Sequence, residues 1–376
     1  MTEYRIFFGT RGATREELDR VEEITVEQEA DMAWEARLKL ALCVDEKGRW
    51  QHTARTFALP FSRVRVELRQ GTGTWVPLID GPVAGLDSAL DSQPGRSTVT
   101  LVVRDDSVLL NRNEKVEIFQ DRLDSDVARE VFGELPGGAS PRTRPTTSPQ
   151  RTTTRRGTAI VFLRELARAN GYRAYVLPGD EPGKSIGCFL PDPRSPGTLP
   201  PLVLLGSERN LADVEVRENN EGPERTQGRT LRIADQGIVS VETTQQDVGL
   251  MRPLPPVSND QTALRLLPPT ENAQEDPAAP SAARTLSAAY AYKVTGRVVP
   301  GCYAGVLAPY QLVLVRVGDL HLSGNWLLTK VRHRISPDLY AQEFEALCDG
   351  QEDPAAAATP GPNGLSVALS ASLSVI

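Results

Sequence analysis

The sequence has few of the residues that most often build catalytic and metal centres. It contains three histidines and four cysteines among 376 residues, and aromatic residues make up only 6%. No two cysteines have CxxC spacing, so neither a zinc ribbon nor a dense disulfide framework is expected. The cysteines are Cys43, Cys188, Cys302 and Cys348. Reduced thiols, as in a cytoplasm, are the default expectation.

Acidic residues outnumber basic residues, 49 to 42. The formal net charge is −7 at pH 7, whereas phosphate binding normally requires a concentrated basic surface. No apolar run approaches the ~20 residues that a membrane-spanning helix requires. The N-terminal residues also lack the long apolar core of a signal peptide. We therefore expect neither nucleic acid nor stable membrane insertion among the partners.

Motifs for nucleotide binding and hydrolysis are absent or incomplete. The segment GDEPGKS, residues 179–185, has one residue too few between its first glycine and the Gly-Lys pair for a phosphate-binding loop. The sequence contains no HExxH or GxSxG motif and no complete EF-hand loop. Paired acids such as Asp105 and Asp106 are expected to be turn and cap residues. We predict no catalytic residue, no cofactor, no metal ligand and no enzymatic activity.

Two of the histidines lie close together in GDLHLSGNWLLTKVRHRI, residues 318–335. If residues 323–325 form a hairpin turn, His321 and His333 are about 20 Å apart at ~3.3 Å per residue. One metal ion cannot span that distance. His333 shares its strand face with apolar residues such as Ile335, which predicts a hydrogen-bonded, partly buried side chain. His321 is expected at the surface.

Apolar and charged residues alternate along the first third of the chain. In WEARLKLAL, residues 34–42, apolar side chains fall on one face and charged side chains on the other, the pattern of a half-buried strand. The same period of two recurs at 64–68 and 99–103, and a glycine-rich connector follows the second run. These patterns predict an antiparallel sheet, a first tube-like β-barrel over residues 1–115.

Residues 116–200 combine helical and extended patterns, which predicts a small α/β insertion. LDSDVAREVFGELPGG predicts a short helix capped by Asp124 or Ser125. GTAIVFLRELARANGYRAYVL predicts a longer helix, with Thr158 as its cap and Gly171 in the left-handed conformation at its end. The intervening SPRTRPTTSPQRTTTRR is expected to be a mobile linker.

The remaining chain returns to strand patterns. Residues 201–350 predict a second tube-like β-barrel that contains a proline-rich loop at 252–288. Residues 351–376 predict a flexible linker and a C-terminal strand. The predicted fold class is therefore mainly β with an α+β insertion, composed of two tube-like antiparallel β-barrel domains and a small α/β domain.

Four stretches resemble, in the same order, segments of one protein family. VRVELRQGTGTWVPLIDGPVAGL, residues 64–86, is similar to a W-x-x-L-F-x-G-x-V segment, with Ile79 in place of the aromatic residue. VVRDDSVLLNRNEKVEIFQDRLDSDVAREVF, residues 102–132, resembles an Asp-Ser step followed by a capped helix. RGTAIVFLRELARANGYRAYV, residues 156–176, is similar to a T-D-x-x-F-L-x-x-L-A-x-x-x-G-Y helix, with Ala159 in place of the acid.

The fourth stretch is YAGVLAPYQLVLVRVGDLHLSGNWLLTKVRHRISPDLYAQEFEAL, residues 303–347, which resembles the family's closing barrel. The matching positions there are Gly324, Trp326, Val331, His333, Tyr340 and Phe344. The family consists of the baseplate hub proteins of contractile phage tails and related injection systems, the late control D and VgrG-like superfamily. The resemblance spans residues 20–348, approximately.

The resemblance implies a structural protein of virion assembly with no enzymatic role. Hubs of this family are homotrimers whose protomers each carry two tube-like barrels, so that three chains present six quasi-equivalent barrels to a six-fold tail tube. Their other end holds a three-fold spike. The implied partners are the tail tube protein, a spike protein and other baseplate components. The implied location is the bacterial cytoplasm during assembly and then the baseplate of a virion or phage-tail-like particle.

The C-terminal residues LSVALSASLSVI suggest a docking strand. VgrG-like chains continue beyond the hub into a needle, whereas few residues follow position 350 here, so the spike is expected to be a separate polypeptide. Apolar residues alternate with serine and alanine in the C-terminal segment, a pattern suited to adding onto a partner's sheet. The predicted docking residues are Leu365, Val367, Leu369, Leu373 and Val375. A strand that folds back on its own barrel is the alternative.

Two other functional classes remain as alternatives. A tail-associated peptidoglycan hydrolase would require a cleft with paired acids or a metal cluster. A carbohydrate-binding tail-tip protein would present exposed aromatic side chains, which the low aromatic content disfavours. A cell-wall zymogram and a glycan-binding screen distinguish these classes from a structural hub.

Overall fold

Antiparallel strands dominate the part of the chain that the structure describes. The computed structural model describes residues 2–50, 58–93, 95–137, 141–146, 150–231, 236–268, 277–319 and 321–352. The predicted mainly β fold class is confirmed. No helix in these ranges is long and apolar enough to cross a membrane.

The first part of the chain forms strands where the period of two predicts them. Its elements are β1 (Thr2–Phe8), β2 (Arg11–Gly12), α1 (Arg15–Asp19), β3 (Val21–Glu29), β4 (Glu35–Ala41), β5 (Arg63–Gln70), β6 (Val76–Ala89), β7 (Thr98–Arg104) and α2 (Ser107–Leu110). In β4, Ala36, Leu38 and Leu40 are buried, whereas Arg37 and Lys39 are exposed. Alternation therefore decides which face of this sheet is the core.

The middle part contains the two predicted helices. Its elements are β8 (Glu114–Arg122), α3 (Asp124–Phe132), β9 (Arg142–Thr143), β10 (Arg151–Thr158), α4 (Ala159–Ala169), β11 (Tyr172–Pro178) and β12 (Ser185–Pro191). Thr158 is the N-cap residue of α4, but its hydroxyl donates to Asn111 and does not cap the helix. Gly171 has φ +66°, as the predicted left-handed turn requires. The prediction for α3 was wrong in detail, because Leu123 occupies the N-cap.

The predicted mobile linker is also wrong over its second half, because residues 151–158 form β10. This strand pairs antiparallel with β8. Its run of threonines has high strand propensity, which the proline and arginine content obscured. Arg155 is fully buried, and its Nη1 lies 2.6 Å from Glu134 and 3.0 Å from Glu117.

The last part of the chain forms the remaining strands and one more helix. Its elements are β13 (Leu202–Val203), β14 (Leu211–Glu218), β15 (Glu224–Leu231), β16 (Ile238–Thr243), β17 (Ala263–Leu266), α5 (Ala278–Ala288), β18 (Tyr292–Val298), β19 (Leu312–Arg316), β20 (Gly324–Ser336) and β21 (Leu339–Cys348). The segment 252–288, expected to be a loop, thus contains β17 and α5. The alanines of α5 explain its helix, since alanine has the highest helix propensity.

Thirteen strands form one sheet. Its main path runs β14-β18-β21-β20-β3-β4-β7-β6-β5-β1-β2, with β19 beside β20 and β13 beside β19. The two predicted β-units are therefore joined through the pairing of β20 with β3. The small sheets β10-β8, β11-β12-β9 and β16-β15-β17 lie apart from this path.

Three hydrophobic clusters underlie these elements. One contains Ile24, Leu38 and Leu101 under the first strands, and another contains Trp326 and Phe344 under the last strands. A third cluster packs α3 and α4 against β11 and β12. The domain limits at residues 115, 200 and 350 stay a prediction. One continuous sheet covers both the cluster under the first strands and the cluster under the last strands, so the sheet itself marks no boundary between them.

A buried network of ion pairs holds the middle part against the first strands. Arg65 is 1% exposed, and it bonds Glu67 at 2.6 Å and Asp80 at 3.1 Å. Its Nη1 also donates to the carbonyl of Gly179 at 2.7 Å. Because a buried charge is costly unless it is paired, these contacts act as a unit. Ser185 extends the network through the carboxylate of Asp106.

Candidate assembly surface

The main sheet contains two four-stranded units with the same internal order. The first sheet unit is β3-β4-β7-β6 and the second sheet unit is β14-β18-β21-β20. Every neighbouring pair within them is antiparallel. They lie side by side, with β20 of the second unit against β3 of the first.

The irregularities of the two units also fall at corresponding places. The register shifts lie at Val21/Glu23 in β3 and Leu211/Asp213 in β14, and at Val83/Gly85 in β6 and Leu328/Lys330 in β20. A β-bulge bends its strand and increases the local twist, so equivalent bulges give the units equivalent shapes. Counted from these bulges, residues 24–29 correspond to 214–219, and residues 85–90 correspond to 330–335. The chain thus carries one structural unit twice.

Charged side chains line the exposed side of the junction between the units. Lys330 lies 2.8 Å from Glu29, and Arg332 lies 3.2 Å from Glu27. Exposed ion pairs of this kind contribute at most ~1 kcal/mol each. They therefore fix register and exclude wrong pairings, while the backbone ladder and the buried face supply the cohesion.

His333 lies on the buried side of the same junction. Its Nδ1 is 2.9 Å from the hydroxyl of Tyr340, and its Nε2 is 3.3 Å from Oε1 of Gln28. The amide of Gln28 donates to the carbonyl of Leu78, so its Oε1 accepts from Nε2–H and the tyrosine hydroxyl donates to Nδ1. Burial lowers the pKa of His333 to about 3. The histidine is a neutral structural residue, fully buried where partial burial was expected.

The other clustered histidine lies in a turn. His321 is exposed, as predicted, and its backbone N–H donates to the carboxylate of Asp319 at 2.7 Å. The expected hairpin turn at 323–325 was wrong, because β20 begins at Gly324, which pairs with Val315 of β19. No group of three or more potential metal ligands occurs among the described residues.

On the exposed face around the junction of the two units, charge alternates from strand to strand. Strands β18 and β20 present basic side chains there, β21 and β3 present acidic ones, and β14 contributes Asp213. Ion pairs connect them at Asp213–Arg297, Lys293–Glu345, Lys330–Glu29, Arg332–Glu27 and Arg334–Glu23. A face covered in this way is polar and internally neutralised.

Each unit leaves one sheet edge open within the described chain. Strand β14 pairs with β18 alone, and residues 85–89 of β6 have β7 on one side and no described strand on the other. Asn219 donates its N–H toward β18, to the carbonyl of Ala291. Because the N–H groups of successive residues in a strand point to alternate sides, those of residues 214, 216 and 218 point away from β18. Leu90 beside the other edge is 59% exposed. Unpaired edges with exposed apolar side chains are templates for strand addition.

The docking residues predicted from the sequence lie outside the described residues. They are Leu365, Val367, Leu369, Leu373 and Val375. The open edges of β14 and β6 were not predicted from the sequence. The alternation pattern identifies a strand's buried face but gives no information about its neighbours.

The fold is shared with structural proteins of phage tails and secretion systems. A tail protein from Neisseria meningitidis MC58 superimposes with a TM-score of 0.63 at 12% identity, covering 93% of this chain and 98% of that one. The 43 kDa tail protein of prophage MuSo2 from Shewanella oneidensis gives 0.62 at 13% identity, covering 93% and 99%. The resemblance inferred from the sequence is confirmed at the level of the fold.

A third similar structure comes from a secretion system. It is an E. coli component of the type VI secretion system, described as similar to the T4 bacteriophage tail proteins gp27 and gp5. It superimposes with a TM-score of 0.52 at 10% identity, covering 89% of this chain and 76% of that one. No protein family profile and no curated protein matches the sequence.

Proposed function

We propose that the protein is the non-enzymatic hub of a contractile tail or injection particle. In this role a homotrimer adapts a six-fold tail tube to a three-fold spike. The observation that carries the proposal is the repeated sheet unit, because a trimer of chains with two equivalent units has six such units around its axis. The shared fold with tail proteins supports the same role.

The internal junction provides a template for the contact between protomers. If residues 85–90 of one protomer receive β14 of the next in the register of β20 and β3, then Asp87 faces Arg217. Both side chains are largely exposed in the single chain, at 67% and 76%. In the same register Leu90 meets Val214, as Ile335 meets Ile24 at the internal junction. The proposed contact thus brings one pair of opposite charges together on one face and one pair of apolar side chains together on the other.

The strand directions also permit the sheets of three protomers to close into one ring. Eight strands run from β14 to β6 and alternate in direction, so the two outer edges run in opposite directions. A rotation about one axis preserves strand direction, and an even number of alternating strands therefore gives antiparallel pairing at every protomer boundary. Closing the sheet removes both open edges, which is the most complete protection of an edge strand.

The partners and location follow from this role as part of the proposal. The hub contacts the tail tube protein, a separate spike protein and other baseplate components, and it moves from the bacterial cytoplasm into the particle during assembly. The C-terminal residues 365–376 dock on the spike or on a neighbouring protomer. Loss of spike co-purification after deletion of 365–376 supports this docking, and unchanged assembly contradicts it.

The native mass of the purified chain tests the proposal. We expect a trimer, either alone or on mixing with the candidate spike protein from the same particle. A monomer under both conditions contradicts the hub role. A cell-wall zymogram of the same preparation checks the non-enzymatic assignment, for which we expect no clearing of peptidoglycan.

A further inference from the structure

A cavity of about 340 Å³ lies where three parts of the chain meet. Helix α4 and the start of β11 form one wall, α5 forms another, and the turn between β3 and β4 closes a third side. Cavities of this size accommodate small ligands. The cavity is distinct from the sheet edges of the proposed function, and the inference below does not depend on that function.

Part of the cavity's charge is neutralised internally. Arg173 bonds Asp31 at 2.5 Å and Asp192 at 3.1 Å. The hydroxyl of Tyr290 donates to Asp192 at 2.7 Å. These contacts give both acids of the cavity a partner, and among the described residues no ion pair joins either acid to the other arginines of the lining.

Two further arginines line the cavity without an acidic partner among the described residues. Arg164 and Arg168 are one helical turn apart on α4. The Nε atom of Arg164 is buried and has no hydrogen-bond partner in the described structure. The position of Arg168 in the last turn is explained by the helix dipole, but that explanation does not extend to Arg164. Like charges at this spacing repel each other, and an anion between them removes the repulsion.

Apolar side chains supply another part of the lining, beside the polar Ser287 and the hydroxyl-bearing Tyr172. Ala167, Ala283 and Leu286 contribute to it. Gly171 lies so close to α5 that an added Cβ would be 3.4 Å from Cα of Ala283, so the helices close the cavity by direct packing. A ligand that fits must therefore combine an anionic group for the arginines with an apolar group for this surface.

We propose that this cavity binds a small aliphatic carboxylate. The carboxylate lies between Arg164 and Arg168, and the hydrocarbon part packs on Ala167, Ala283 and Leu286. Because α4, α5 and the β3–β4 turn all contact the occupant, binding stabilises the position of α4 against α5 and against the first sheet unit. Charge-assisted hydrogen bonds from two guanidinium groups supply most of the selectivity for an anion.

Calorimetric titration of the full chain with hexanoate tests the proposal. Hexanoate is expected to bind, acetate to bind more weakly because it lacks the apolar part, and hexanol not to bind. Arg164→Gln and Arg168→Gln are each expected to weaken hexanoate binding roughly tenfold, the loss of about one charged hydrogen bond. Arg96→Gln, at an exposed loop position, is the matched control and should bind as the wild type does.

A second variant keeps the test decisive if Arg164→Gln does not fold. Arg164→Lys retains the charge, and it is expected to bind hexanoate with a smaller loss. Absence of hexanoate binding to the wild type overturns the proposal, and so does equal binding to the wild type and to both folded glutamine variants. The oligomeric state is measured in parallel, because a failure of trimer formation bears on the proposed function alone.

Discussion

Arg332 on β20 and Glu27 on β3 face each other across the junction of the two sheet units, with the arginine Nε 3.2 Å from the glutamate Oε1. At the corresponding positions of the open edges stand Asp87 and Arg217, with the charges exchanged. The chain thus presents on its two outer edges the same kind of pair that it uses internally. This correspondence gives the proposed contact between protomers a definite register.

Exchanging those two charges tests the register. Asp87→Arg and Arg217→Asp each place like charges opposite one another, and each is expected to weaken trimer formation, by ~1 kcal/mol or less per contact. The double variant restores opposite charges and is expected to recover the trimer. Sedimentation velocity over a concentration series measures the effect. Glu46→Arg, at an exposed loop position, controls for net charge, and equal behaviour of all four variants contradicts the register.

Neighbouring proline substitutions in β14 separate assembly from folding. Glu218→Pro removes an N–H that points away from β18, so we expect a folded chain that no longer forms trimers. Arg217→Pro removes an N–H on the β18 side and is expected to destabilise the chain itself. Thermal unfolding and native mass are measured for both variants. A trimer of Glu218→Pro as stable as the wild type would count against the use of this edge.

The buried arginine of β5, Arg65, is expected to be essential for stability. Arg65→Met leaves the carboxylates of Glu67 and Asp80 buried without this partner, which should lower the free energy of unfolding by ~3–5 kcal/mol. The exposed Arg37 on β4 is the control, because Arg37→Met should change stability by ~0.5 kcal/mol or less. Urea unfolding compares the two variants. Similar, small losses in both would contradict the account of the buried network.

Two buried groups give opposite pH dependences. Burial lowers the pKa of His333 to about 3 and raises that of Asp105 to about 6. Between pH 6 and 4 the unfolded chain protonates the histidine and the folded chain does not, so His333 reduces stability as pH falls. Over the same range the folded chain protonates the aspartate first, so Asp105 increases stability as pH falls. Each slope approaches ~1.4 kcal/mol per pH unit.

Variants of His333 and Asp105 distinguish the two pH dependences of stability. Relative to the wild type, His333→Gln should gain stability as pH falls from 6 to 4, and Asp105→Asn should lose stability over that range. Urea unfolding at several pH values measures both differences. A difference that stays constant with pH would show that the residue does not titrate as its burial requires.

The sequence predicts local structure better than it predicts pairing. Alternation identifies the strands around Leu38, Val66 and Leu101, because burial on one sheet face imposes a period of two. The sequence also predicts that Gly171 ends α4 in the left-handed conformation, and φ of Gly171 is positive. The strand β10 was missed because proline and arginine in its neighbourhood outweighed the propensity of its threonines.

The candidate assembly surface could not be predicted from the sequence. The two sheet units share bulge positions but no visible sequence repeat, since a bulge depends on backbone geometry that many residues can adopt. The pairing of β20 with β3 connects residues about 300 positions apart, and no local pattern reports such a contact. The family resemblance implied two barrels, and only the structure shows that β20 and β3 join the two sheet units into one sheet.

Cross-linking between the two open edges tests the central claim most directly. Asp87→Cys combined with Arg217→Cys places thiols opposite one another at a position without direct backbone hydrogen bonds, where a disulfide can form between protomers. Under mild oxidation we predict a covalent product of three chains on a non-reducing gel, absent from each single variant. The single variants also control for the exposed Cys43 and Cys302. A double variant that stays a single chain both alone and mixed with the candidate spike protein would contradict the proposed trimer.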